Sequence, residues 1–143
     1  MVDPAAAPAS GAREVSGALD GEDRAGWGPG ARTQRVRDLF AQKERTEAAL
    51  LAEVAEWDAA KDWALDGQLS APTWLAWQTP VTKTVGGRVV ADATFLRGHD
   101  DIATLLAAGE LCCAHVTAMA RAALHHETEF AICKESLVGS ARE

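Results

Sequence analysis

The chain has 143 residues, room for one domain of ordinary size, and a formal net charge of −7. An acidic balance argues against bulk attraction to a phosphate backbone, which repels like charge at long range, although a local basic face is compatible with it. There is no run of eighteen or so apolar residues to span a bilayer. Val2-Asp3-Pro4 opens no secretory signal either, so the expectation is a soluble, cytoplasmic protein with no membrane partner.

Residues 1–30 consist largely of Ala, Pro, Gly, Ser and Asp, with almost no large apolar side chain. Such a stretch buries too little surface to offset its ordering entropy. A disordered lead is therefore expected over 1–30 and one helical domain over 31–143. From Thr33 to about Trp63 the residues are good helix formers. Val36, Phe40, Leu50, Leu51, Val54 and Trp57 make a loose apolar face, diluted from Gln42 to Glu47. Asp66-Gly67 is a turn signal. Ser70 is placed to cap a short helix that tolerates Pro72 in its first turn and carries Trp74, Leu75 and Trp77.

Pro80 breaks that helix, and Thr79 or Thr82 can cap the next. Val81, Val85, Val89, Ala93 and Leu96 then recur at helical intervals. Gly86-Gly87 sits inside this stripe, and two glycines cost about 1 kcal/mol each relative to alanine. Either another backbone packs closely there, or the helix is kinked or interrupted. Gly98-His99-Asp100 ends the element, and Ile102, Leu105 and Leu106 form a short helix stopped by Gly109 at a left-handed cap position. Val116, Met119, Ala120 and Ala123 define the face of the following helix, and Phe130, Cys133 and Leu137 that of the last. That last pattern is unfinished at Glu143, so the chain is expected to be the front of a longer protein or a truncated copy. With no Tyr and no alternating β-branched run there is little material for a sheet. The expected fold is all-α: a helical bundle with helix-turn-helix-like elements.

Ser70, Trp74-Leu75, the segment opening at Thr79, Leu105-Leu106 running into Gly109-Glu110-Leu111, then His115-Val116 and Met119-Ala120 follow in close order. This pattern, over roughly Arg32 to Val138, resembles the helical domain that precedes an HNH endonuclease domain in the actinobacterial 13E12 repeat family, or domain-of-unknown-function 222 family. The resemblance implies an accessory domain that holds or positions a nuclease module and touches DNA. Cys112 stands where such relatives often carry a Ser cap, Gly86-Gly87 fall in a helix usually rich in Ala and Glu, and no proline precedes Asp100.

Nuclease chemistry itself needs a histidine base and His, Asn or Asp ligands for a divalent metal. His99, His115, His125 and His126 do not compose such a set, and the chain has no Asn. His125-His126 diverge by about 100° on a helix, and His115 with Cys112 lacks a third ligand. There is no phosphate loop and no nucleophile elbow. Cys112, Cys113 and Cys133 are odd in number and lack a C-x-x-C spacing, which suits small buried hydrophobes in a reducing compartment. No catalytic residue, metal, cofactor or small-molecule substrate is expected.

Two non-catalytic roles stay open. Contact with double-stranded DNA would use Lys83, Arg88 and Arg97, set against one Asp92, together with Arg121. A reading helix after Gly109 would offer Cys112, Cys113, His115, Thr117 and Arg121. The alternative is a protein-interaction or self-association module, or a degenerate gene copy. Its candidates are Trp74 and Trp77, from the group Trp57, Trp63, Trp74 and Trp77 around the Asp66-Gly67 turn. The reading preferred for these tryptophans is a core corner where the long first helix meets the short second one.

Overall fold

The structure is a computed structural model describing residues 26–143. Most of the lead expected over 1–30 falls on residues 1–25, outside the described residues. The backbone groups into two units, one ending at Gln42 and one spanning Lys43–Glu143. In order the helices are α1 (Pro29–Ala60), a 3₁₀ turn (Asp62–Asp66), α2 (Ala71–Gln78), α3 (Lys83–Arg97), α4 (Asp100–Ala107), α5 (Cys113–Ala123) and α6 (Glu127–Ala141). The fold is all-α; among the described residues there is no strand. None of these helices is long and apolar enough to cross a membrane.

Helix α1 begins earlier than its helix-forming composition suggests. Pro29 occupies the first helical position, where its missing N–H and preset φ are compatible with a helix start. Arg32 N–H donates to the Gly28 carbonyl at 3.1 Å and the Thr33 hydroxyl to the Pro29 carbonyl at 2.9 Å. Pro29 and Gly30 therefore belong to the helix, not to the lead. In the unit ending at Gln42, Val36, Leu39 and Phe40 are all exposed.

In the Lys43–Glu143 unit, α1 ends at Ala60, short of Trp63. Lys61 turns left-handed (φ 58°), its N–H reaches the Asp58 carbonyl at 3.1 Å, and the 3₁₀ turn follows. Ser70 and Thr82 cap α2 and α3 as their positions suggest: Thr73 N–H donates to Ser70 Oγ at 3.4 Å and Val85 N–H to Thr82 Oγ1 at 3.2 Å. At the end of α4, Gly109 is left-handed (φ 76°). Its N–H returns to Leu106 O at 3.0 Å and that of Glu110 to Leu105 O at 2.9 Å, a complete Schellman motif.

The core draws one stripe from each helix it joins. Leu51 and Val54 come from α1, Ala93 and Leu96 from α3, Ile102 and Leu106 from α4. Leu111, Cys113, Val116, Met119 and Ala123 add α5 and its approach, and Phe130 adds α6. Ile102 and Val116 are fully buried. Helix α2 lies along α3 and buries Ala71 and Leu75.

The last helix differs from its expected stripe. Phe130 is buried, but Cys133 and Leu137 are exposed, and the inner face runs through Phe130, Lys134, Val138 and Ala141. Both stripes obey helical spacing, and neighbours choose between them. Lys134 Nζ donates to Asp101 Oδ1 at 2.7 Å, and Arg142 pairs with Glu110. The cysteines divide likewise: Cys113 is buried, Cys112 half-buried and Cys133 exposed, so only Cys113 is the buried hydrophobe expected of all three.

Helix α3 is continuous through Gly86-Gly87, and close packing explains the first glycine. A Cβ on Gly86 would sit 3.2 Å from the Pro72 carbonyl oxygen and 3.3 Å from Leu75 Cβ. Gly87 faces open space. Gly87→Ala is therefore expected to raise stability by about 0.5–1 kcal/mol. Gly86→Ala should forfeit that gain by pushing α2 away. Chemical denaturation of both variants checks this, and equal effects at the two positions would refute the packing account.

Candidate functional site

The α4–turn–α5 segment has the outline of a helix-turn-helix, so its chemistry decides what α5 can do. An α-helix begins with N–H groups that lack intrahelical acceptors. Cys112 is the N-cap of α5, and its own N–H donates to His115 Nδ1 at 3.3 Å. Cys112 Sγ lies 3.3 Å from the same nitrogen. Acceptance at Nδ1 places the proton of a neutral ring on Nε2. Cys and His thus fill the roles that Ser/Thr and Glu take in a capping box.

The next N–H, that of Cys113, donates to Glu44 Oε2 of α1 at 2.9 Å. That backbone hydrogen bond holds the Glu44 carboxyl below its ordinary value, with burial opposing it. Burial first, then the Glu47 and Glu44 charges, push the Cys113 thiol up to about 12. It stays protonated and is no nucleophile at neutral pH.

One turn further, Thr117 Oγ1 lies 2.5 Å from Asp92 Oδ2 on α3 and 3.2 Å from the Cys113 carbonyl. Asp92 is the one charged residue buried among those described. Burial raises its pKa, with the Glu47 charge acting in the same direction, while the Thr117 hydrogen bond and Arg88 oppose the shift. The neutral acid can be accommodated here. A protonated Asp92 donates to Thr117 Oγ1, and the threonine proton is then free for the Cys113 carbonyl.

These contacts remove most of the reading helix expected for DNA. Cys113 is buried, Thr117 turns inward to Asp92, and Cys112 and His115 engage each other. The exposed positions of α5 are Ala114, Ala118, Arg121 and Ala122, which offer one side chain able to donate to a base edge. Its first turn already holds a carboxylate.

Lys83, Arg88, Arg97 and Arg121 are all exposed. The three on α3 do not make one stripe. Lys83 and Arg97 lie within about 40° of each other but about 21 Å apart along the axis. Arg88 stands about 140° from Lys83 and half a turn from Arg97. Arg97 Nε is 4.0 Å from Glu56 Oε1. Asp92, read from sequence as a solvent-facing counter-charge to this basic face, points into the core instead.

The tryptophans separate into two kinds. Trp74 packs edge-on against Trp57, with centroids 4.9 Å apart, and donates its ring N–H to Asp66 Oδ2 at 2.6 Å. Trp63 donates to Asp58 Oδ1 at 3.0 Å. Trp74 is thus part of the corner between α1 and α2, whereas Trp77 is 77% exposed. Among the described residues no three His, Cys, Asp or Glu side chains gather as metal ligands.

Sequence reasoning missed Glu44 and the burial of Asp92. Only Asp92 left a signal, as an acid three residues after Val89 and beside Ala93 in an apolar stripe. No protein-family model, curated protein or solved structure matches this chain. The likeness to the domain preceding HNH modules therefore rests on the spacing pattern alone.

The two carboxyls should leave opposite marks on stability. Asp92 has a raised folded pKa, so its contribution is full below its unfolded value and is lost as pH rises through the folded one. Glu44 has a lowered folded pKa, so its contribution is present above its unfolded value and is lost as pH falls through the folded one. Urea unfolding across the carboxylate range should show Asp92→Asn gaining on the parent as pH rises. Glu44→Gln should lose its deficit as pH falls. Curves parallel to the parent for either variant would refute that assignment.

Proposed function

We propose that this chain is a cytoplasmic, non-catalytic helical accessory domain of the kind that precedes HNH nuclease modules, and that it works through contacts with protein. The observation that carries this reading is the state of α5. Its first turn is capped by Glu44, and its outward face is alanine with a single Arg121. A helix placed on DNA needs donors for base edges and a phosphate-tolerant N-terminus, and a carboxylate at that end repels phosphate. Trp77 supports protein contact, being an exposed aromatic of the type that anchors binding hot spots. The free thiols of Cys112, Cys113 and Cys133 suit a reducing compartment.

A second reading, contact with double-stranded DNA, is favoured by one observation. Lys83, Arg88, Arg97 and Arg121 all face solvent, and Arg97 alone among them has a carboxylate within ion-pair distance. Because Arg88 stands off the side shared by Lys83 and Arg97, two cations of α3 at most meet one phosphate row. Affinity would then fall with salt at a log–log slope of about −2.

Plasmid incubation with Mg²⁺, Mn²⁺ or Zn²⁺, and fluorescence anisotropy on a labelled duplex across a salt series, test both readings. The expected result is no nicking, and duplex binding that is absent or vanishes towards physiological salt. Metal-dependent nicking abolished by His115→Ala would overturn the non-catalytic reading. Tight binding that persists at physiological salt and is lost in Lys83→Ala/Arg88→Ala/Arg97→Ala would replace the protein reading with the DNA one.

A further inference from the structure

Helix α6 packs along α5, but the side chains that fix it reach further. Phe130, its one buried residue, meets Phe95 and His99 edge-on, with ring centroids 5.6 Å away in each case. Lys134 Nζ donates to Asp101 Oδ1 at 2.7 Å, and Arg142 pairs with Glu110. These partners lie on α3 and α4 or just beyond their ends, and none is on α5. The turn that folds α6 back is unlike those before α2, α3, α4 and α5, which contain Gly67, Pro80, Gly98 and Gly109. Leu124–His126 has neither glycine nor proline, and neither residue type occurs between Gly109 and Gly139. His125 is left-handed there (φ 67°), a conformation that costs an L residue energy. Nothing in the local sequence requires α5 to stop, since Ala122, Ala123 and Leu124 are strong helix formers and His125 and His126 are compatible with a helix. A straight α5–α6 helix would also keep its apolar face in phase. With Val116 as reference, Met119, Ala123, Phe130, Leu137 and Val138 fall at about −60°, −20°, −40°, −60° and +40°.

We infer that α6 is an exchangeable arm: in a dimer, α5 and α6 run on as one helix and α6 seats on a second copy of the chain. The inference rests on the protein-contact reading and deepens it by naming the partner. The fold itself selects the occupant, because the surface left open when α6 swings out is the one that α6 fits. The α6 of a second copy brings the same Phe130 to Phe95 and His99, the same Lys134 to Asp101 and the same Arg142 to Glu110. Each copy gives one arm and receives one, so the contact is two-fold and closes. The docking contacts of α6 are kept, and the left-handed residue of each copy returns to helical backbone. What opposes exchange is the lost freedom of joining two chains, so concentration sets the balance. The hinge residue then decides between the forms. One at ease in the left-handed turn keeps the arm on its own chain, and a strong helix former sends it across.

Opposite charge reversals on the two sides of the arm test this. Asp101→Lys and Lys134→Asp each set like charges together, both in the monomer and in a dimer of one variant. In an exchanged dimer holding one copy of each, the two altered residues meet each other, as do the two unaltered ones. The full-length variants are unfolded in urea, singly and together, refolded and examined by sedimentation velocity, with circular dichroism to confirm that each folds. The mixture should associate about tenfold or more tightly than either variant alone. A mixture no more dimeric than its components would overturn the inference, because a dimer without exchange leaves both ion pairs within their own chains. Hinge variants test exchange with the ion pair untouched. Over a concentration series of refolded chain, His125→Gly should weaken dimer formation by about tenfold or more relative to the parent, and His125→Ala should strengthen it. Monomer at every concentration in both the parent and His125→Ala, or dimer formation indifferent to both substitutions, would overturn it as well. A monomeric result leaves the accessory-domain reading standing, since nicking and anisotropy decide that one.

Discussion

The backbone donors at the start of α5 are the constraint on which the Lys43–Glu143 unit depends. This helix buries Cys113, Val116, Met119 and Ala123 and packs against α3, α4 and α6, so its first turn cannot be left to water. Two devices satisfy it. His115 reaches back to the Cys112 N–H from within the helix, and Glu44 reaches the Cys113 N–H from 69 residues earlier in the chain. The second is a charge-assisted bond at the positive end of a helix dipole, the setting in which a carboxylate is most favourable. It ties α1 to the centre of the core by a polar contact that complements the packing of Leu51 and Val54.

That same neighbourhood makes further negative charge costly. Glu44 and Glu47 both act on Cys113, and Glu47 also acts on Asp92. Asp92 is nonetheless built into the interface between α3 and α5, where Thr117 gives it one short hydrogen bond. A hydroxyl can donate to the ionised acid or accept from the neutral one, so the pair keeps a hydrogen bond in either state. An apolar pair at these positions would avoid the desolvation cost. What the polar pair supplies is direction, because Thr117 and Asp92 meet in only one register of α5 against α3.

Satisfying α5 internally has consequences outside. Apart from Arg121, the polar residues that give the post-Gly109 helix its promise as a reading element are buried or engaged in capping and in the Asp92 contact, and the rest of the outward face is alanine. Basic residues of α3 are exposed but divided between sides of the helix. Exposed large apolar side chains lie instead on the Pro29–Gln42 stretch, at Leu50, at Leu65, Leu69 and Trp77, and at Leu124, Ile132 and Leu137. Association through side chains of that kind is driven by burial, with charge setting the register.

Much of the fold was legible in the sequence because its determinants are local. Ser70, Thr82 and Gly109 act through backbone groups three to five residues away, and helical spacing of Val116, Met119 and Ala123 needs no partner to be recognised. The all-α class follows from these alone. Where two local solutions were equally good, only packing could choose. Gly86-Gly87 allowed a break or a close approach, and the Pro72 carbonyl and Leu75 made it an approach. The last helix allowed two stripes, and Asp101 drew Lys134 inward while Cys133 and Leu137 stayed out. Asp92 looked like surface charge, and Glu44 was one residue of the Gln42–Glu47 stretch that dilutes the apolar face of α1. Their roles depend on atoms 25 and 69 residues distant. The sequence determined which segments coil and where they stop, since that is settled within a turn or two of chain. Tertiary structure alone decided which polar groups lost their water, since burial belongs to the neighbours of a residue and not to the residue itself.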